Sequence, residues 1–139
     1  MRRVGYRRRR EMIGTRPNED ALVTAILQTL VMTVQDCFAW RMETNGSVRG
    51  NGDGTFRLVK NKYGRGKADV AGVVNGKGFV IEAKRPGNYL ERHQQLWLSD
   101  YVSRGKGRAA VCYSADDALE FVGIVANGGP DRWRGEITA

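Results

Sequence analysis

The sequence predicts a mixed α/β domain, a mixed central sheet flanked by helices in the order α-β-β-β-α-β-α. Three observations predict it. Apolar residues recur at helical spacing between positions 18 and 36 and again between 89 and 103. Asn75-Gly76 separates two β-rich runs, the strongest short-range signal for a hairpin. Arg108 to Tyr113 (R-A-A-V-C-Y) has the continuous apolar pattern of a strand buried on both faces.

At 139 residues the chain holds one core. It has no apolar run of the roughly 18 residues that a membrane helix needs. Its basic start lacks the apolar segment of a secretory signal. Without a secretory context, Cys37 and Cys112 read as buried reduced thiols rather than a disulfide. The single histidine, His93, excludes a histidine-built zinc site. The net charge of +8 points to an anionic partner.

Most of that charge sits in residues 1–16, read as a basic arm with too little apolar surface to order itself. Arg2, Arg3, Arg7, Arg8, Arg9 and Arg10 are suited to sequence-independent phosphate contact. A solubilising tail would look the same. Further basic residues gather at Arg57, Lys60, Lys62, Arg65 and Lys67, and at Arg85, Arg92, Arg104, Lys106 and Arg108.

The folded domain is expected over residues 17–122. Its first helix starts near Pro17-Asn18-Glu19, with Asn18 as N-cap, and runs to Gln35 or Asp36. Leu22, Val23, Ile26, Leu27, Leu30, Val31 and Val34 form its apolar stripe. Glu19 falls within roughly 20° of the stripe centre and Asp20 roughly 80° away, so Glu19 points inward. Cys37 to Met42 reads as a strand. A glycine-rich stretch from Asn45 to Gly54 precedes a further strand over Thr55 to Val59. Asn61 to Lys67 is a basic glycine-rich loop whose spacing does not fit a phosphate-binding P-loop.

In the hairpin that follows, a two-residue turn at 75–76 sets Asp69 directly opposite Glu82. A four-residue turn would set Asp69 opposite Lys84 on the same face. Val80 to Lys84 reads V-I-E-A-K. Strand alternation projects Glu82 and Lys84 from one face and Ile81 and Ala83 from the other. Two like charges placed opposite one another destabilise a sheet unless a cation lies between them. The pair is therefore a candidate metal site, although E-x-K alone is equally the mark of a solvated ion pair.

A second helix is expected from Tyr89 to Ser103, with Leu90, Trp97, Leu98, Tyr101 and Val102 buried. Gln94 lies at the centre of that stripe, where its amide must find partners. Asp116 to Phe121 opens a short last helix, and residues 123–139 read as a loop-like tail.

Taken in order, Glu19 in N-E-D-A-L, Asp69 in G-K-A-D, Glu82 and Lys84 in E-A-K, and Gln94 in Q-Q-L-W-L resemble the PD-(D/E)XK nuclease superfamily. The nearest resemblance is to its VRR-NUC (virus-type replication-repair nuclease) branch. It spans about residues 18 to 122 and extends to the later A-D-D-A-L-E. The chain departs from the family in using G-K-A-D where G-x-P-D is more usual, in its long loop before Asp69, and in the arginine arm.

The resemblance implies a restriction-endonuclease-like core and Mg²⁺- or Mn²⁺-dependent hydrolysis of DNA phosphodiesters. Asp69 and Glu82 would hold the ion, and Glu19 would complete the site or orient a water. Lys84 would position or help activate the nucleophile, and Gln94 would orient Lys84 or a water. Arg7, Arg8, Arg9, Arg10, Arg65, Lys67, Arg85 and Arg92 would contact the nucleic acid. Small members of the branch imply a homodimer acting on branched DNA such as four-way junctions in replication, recombination or repair. They also imply a cytoplasmic location in a bacterium or phage-infected host cell, with no membrane partner. A restriction-type or nicking nuclease on duplex DNA would share this active site. A non-catalytic nucleic-acid-binding protein would share only the basic surfaces.

Overall fold

The computed structural model describes residues 15–42, 47–59 and 66–129. Helix α1 (Thr15–Thr33) leads into strand β1 (Cys37–Arg41). Strands β2 (Ser47–Gly50) and β3 (Phe56–Val59) follow, then β4 (Val70–Val74) and β5 (Lys77–Ala83). Helix α2 (Arg92–Ser103), strand β6 (Arg108–Cys112) and helix α3 (Ala115–Ala126) complete the order.

Four strands form a mixed sheet in the order β1-β4-β5-β6, with β1, β4 and β5 antiparallel and β5 parallel to β6. Joining two parallel strands requires a crossover, and α2 supplies it. β2 and β3 pair only with each other, in a separate antiparallel ribbon. With this ribbon set aside, the order is the expected α-β-β-β-α-β-α. The ribbon corrects two readings. The glycine-rich stretch contains a strand, and the Thr55 to Val59 strand, which begins at Phe56, lies outside the central sheet.

Alternation along the strands divides the core between the two faces of the sheet. Val70, Val74, Phe79, Ile81, Ala83, Ala110 and Cys112 face one way, against Val23, Ile26 and Leu30 of α1 and Ala118, Phe121, Val122 and Val125 of α3. Ala71, Val80, Ala109 and Val111 face the other way, against Leu98 and Val102 of α2. On the first face the rings of Phe79 and Phe121 meet edge-on at 6.1 Å, a favourable aromatic arrangement. Full burial of each such side chain stabilises the fold by about 1.5–3 kcal/mol before entropy costs. Neither cysteine is in a disulfide, and Cys112 is buried and Cys37 partly buried. Among the described residues no helix is long and apolar enough to cross a membrane.

The helices differ from expectation at their ends. α1 begins three residues before Asn18 and stops at Thr33, and its stripe is narrower than read, since Val31 is exposed. α2 starts at Arg92 rather than Tyr89 because Glu91 is its N-cap, in a capping box with Gln94. α3 runs through Gly123 to Ala126, beyond the expected end at 122, because Val125 still reaches the core. Its N-cap is Ser114, whose side chain accepts from the Asp117 N–H at 3.1 Å. Asp117 in turn accepts from the Tyr113 N–H at 2.9 Å.

The hairpin turn is the two-residue form. Asn75 and Gly76 have φ of 49° and 77°, as a type I′ turn requires, and Val74 pairs with Lys77. A β-branched residue tolerates left-handed backbone poorly, by roughly 1–2 kcal/mol. Gly76→Val is expected to lower unfolding free energy by about that amount, measured as a shifted urea midpoint. An unchanged midpoint would mean that the turn does not hold the register.

Candidate functional site

The register that pairs Val70 with Ile81 carries Asp69, the next residue outward, to the level of Glu82. Asp69 is fixed at both ends. Its carbonyl accepts from the Met42 N–H at 2.8 Å beside β1, and its Oδ2 accepts from the Ala83 N–H at 2.8 Å on β5. Glu82 lies in the last turn of the pleat before the strand ends, 2% exposed. Ile81 and Ala83 belong to the core face covered by α1 and α3, so alternation turns Glu82 to the α2 face. Lys84 continues the ladder beyond β5, its N–H donating to the Cys112 carbonyl at 3.0 Å, and it too is buried.

Helix α2 supplies the remaining contact. Gln94 Nε2 donates to Glu82 Oε1 at 3.0 Å, and Gln94 Oε1 accepts from the Glu91 N–H at 3.0 Å. One amide thus caps its own helix and holds a buried carboxyl. The sequence reading had Gln94 orienting Lys84 or a water, whereas these bonds go to Glu82 and to the helix cap. Gly66 packs against the same helix turn. Its φ is +81°, and a Cβ there would lie 2.3 Å from the His93 carbonyl oxygen.

Glu82 Oε2 is buried with no hydrogen-bond donor among the described residues, and the Glu82 carboxyl lies within hydrogen-bonding reach of the Asp69 carboxyl. Burial, and secondarily the charge of Asp69, push the Glu82 carboxyl up to about 9, against the smaller opposing pull of Lys84. Asp69 is raised as well, by burial first, and the Ala83 N–H and Lys84 oppose this. Glu19, at the start of α1, raises both through its negative charge. In the ion-free protein Glu82 therefore carries a proton at neutral pH and can share it with Asp69. A divalent cation fits the place of that proton: two converging carboxyls, one buried oxygen without a partner, and like charges that repel when both ionise. Among the described residues no three His, Cys, Asp or Glu side chains gather in metal-binding proximity, and Glu19 acts on Asp69 and Glu82 through its charge.

The structure thus joins Asp69, Glu82, Lys84 and Gln94 at the ends of β5 and α2, with Glu19 electrostatically coupled to the two carboxyls. Lys67, Arg85 and Arg92 each lie within two residues of a site residue along the chain, and Arg92 is exposed. Arg7, Arg8, Arg9, Arg10 and Arg65 lie outside the described residues. Asp20, placed off the stripe, bonds the exposed Arg41 guanidinium instead.

Sequence reasoning missed three neighbours of the site. Glu91 was read as a helical residue rather than as the cap that shares Gln94. Tyr89 is exposed, and Tyr113 borders a cleft between α2 and β6. The S/T-x-x-D/E spacing from Ser114 to Asp117 was the one available signal that β6 ends where it does. No protein-family model and no curated protein matches this chain.

The raised Glu82 carboxyl fixes the sign of a pH effect. Between its ordinary value of 4.5 and about 9 the folded chain holds a proton that the unfolded chain has released. Stability is therefore fully present below 4.5 and is lost as pH rises through that window, by up to about 1.4 kcal/mol per pH unit. Asp69 is raised in the same direction. In chelator-treated protein, Glu82→Gln is expected to flatten the urea-unfolding free energy measured across this range. A slope equal to that of the wild type would show that Glu82 ionises freely.

Proposed function

We propose that the protein is a divalent-metal-dependent endonuclease that hydrolyses DNA phosphodiester bonds, built on a PD-(D/E)XK core of the VRR-NUC type. The observation that carries the reading is the buried Glu82 carboxyl, with one oxygen unpartnered, facing Asp69 and followed two residues later by the buried Lys84. Burying Glu82 and Lys84 beside the part-buried Asp69 costs stability that a purely structural role would not recover. Asp69 and Glu82 hold Mg²⁺ or Mn²⁺ in this reading, hard cations that favour carboxylate oxygen. When bound, such an ion acidifies water and polarises a phosphate.

The chain's own residues do the rest. The Ala83 N–H fixes one Asp69 oxygen and leaves the other for the ion. Gln94 holds Glu82 Oε1 and so aims Oε2 at the same point. Lys84 places its ammonium where it orients the attacking water and offsets negative charge on the phosphate in the transition state. Glu19 adds negative charge that strengthens cation binding. Lys67, Arg85 and Arg92 at the margin, with Arg65 and the arginines of the arm, supply phosphate contacts that read backbone rather than bases. Branched DNA as substrate and a homodimeric assembly complete the proposal.

The test is a Mg²⁺-dependent cleavage panel of four-way junction, flap, nicked and linear duplex DNA. The wild type is expected to cut, with branched substrates favoured. Lys84→Ala and Glu82→Ala are expected to lose at least about a hundredfold in rate while DNA affinity in chelator stays within about threefold. Cleavage undiminished in Lys84→Ala would refute the assignment. Cutting of linear duplex at fixed positions would favour a restriction-type enzyme.

A further inference from the structure

Beside the carboxyl site lies a cleft of about 500 Å³ lined by Tyr89, Leu90, Arg92, Gln95 and Tyr113. Its position follows from the fold. Tyr113 extends β6 past Cys112, the residue whose carbonyl accepts from the Lys84 N–H. Gln95 adjoins Gln94, whose amide holds Glu82. The cleft and the carboxyls therefore share one end of the parallel β5–β6 pair, and the first turn of α2 contributes to both.

We propose that this cleft is a nucleobase-stacking subsite, which takes an unpaired base of the bound DNA strand while Arg92 meets a neighbouring phosphate. Tyr89 is 84% exposed, so its ring contributes almost nothing to the core and offers its face to solvent. An exposed tyrosine beside an exposed arginine, over an open cleft that a second tyrosine helps to line, is the combination that binds single strands. Aromatic faces stack on any base and the guanidinium tracks the backbone. Bases within a duplex are already stacked and cannot enter, so the cleft selects strands with at least one splayed nucleotide. The inference rests on the reading of the adjacent carboxyls as a phosphodiester site, which brings a strand to this end of the sheet.

The test separates base from backbone. In chelator, so that nothing is cut, affinity is measured by fluorescence anisotropy for oligothymidine and for an abasic strand of equal length. The wild type is expected to prefer oligothymidine, and Tyr89→Ala to reduce that preference by about tenfold. Tyr89→Trp is expected to retain it. Arg92→Gln is expected to weaken both ligands by the same factor and to lower the salt dependence. A base preference unchanged in Tyr89→Ala overturns the proposal, since the exposed side chain can be removed without unfolding the protein. Mg²⁺-dependent cleavage of the same oligothymidine is read separately. Loss of the base preference without any cleavage by the wild type would count against the nuclease reading and leave the stacking subsite standing.

Discussion

The left-handed turn at Asn75 and Gly76 locks β4 against β5 in one register, and that register forces two carboxyl groups together. A slip by one residue would turn Glu82 toward α1 and α3 and send Ile81 and Ala83 to the α2 face. In the observed register Asp69 is held by the Ala83 N–H and Glu82 by Gln94, so neither acid can swing away to water. The like-charge contact is thereby built in. It is relieved in one of two ways, by a proton on Glu82 or by a cation between the pair.

The surrounding elements are arranged to hold this contact. α1 and α3 cover one face of the sheet and α2 covers the other, so the strand that carries Glu82 is buried on both sides up to its last residue. Parallel pairing with β6 then lets Lys84 continue the ladder through the Cys112 carbonyl. α2 meets the site with its first turn, where Gln94 serves as both cap and carboxyl partner. A helix cap and a buried acid therefore depend on a single amide.

Much of this was legible in the sequence because it rests on short-range rules. Asn-Gly specified the turn, and the turn specified that Asp69 meets Glu82. Period-2 alternation placed Glu82 apart from Ile81 and Ala83, and helical phase placed Glu19 and Gln94 inward. What was not legible depended on tertiary competition. Val31 fits the stripe of α1 by phase yet is exposed. Tyr89 falls within the helix expected from 89 to 103, but the cap formed by Glu91 and Gln94 starts the helix only after it. Strand β2 was hidden because glycines mask strand propensity, whereas β3 is the strand expected over Thr55 to Val59. The partner of Gln94 was beyond sequence reasoning, since only the crossover brings α2 over Glu82.

The central claim is that Asp69 and Glu82 together form one cation site. Calorimetric titration of the wild type, Asp69→Asn and Glu82→Gln with Mn²⁺ at constant pH tests it most directly. Saturable binding by the wild type and a loss of at least about tenfold in affinity in each amide variant is the predicted result. Binding that is undiminished in both variants would contradict the account.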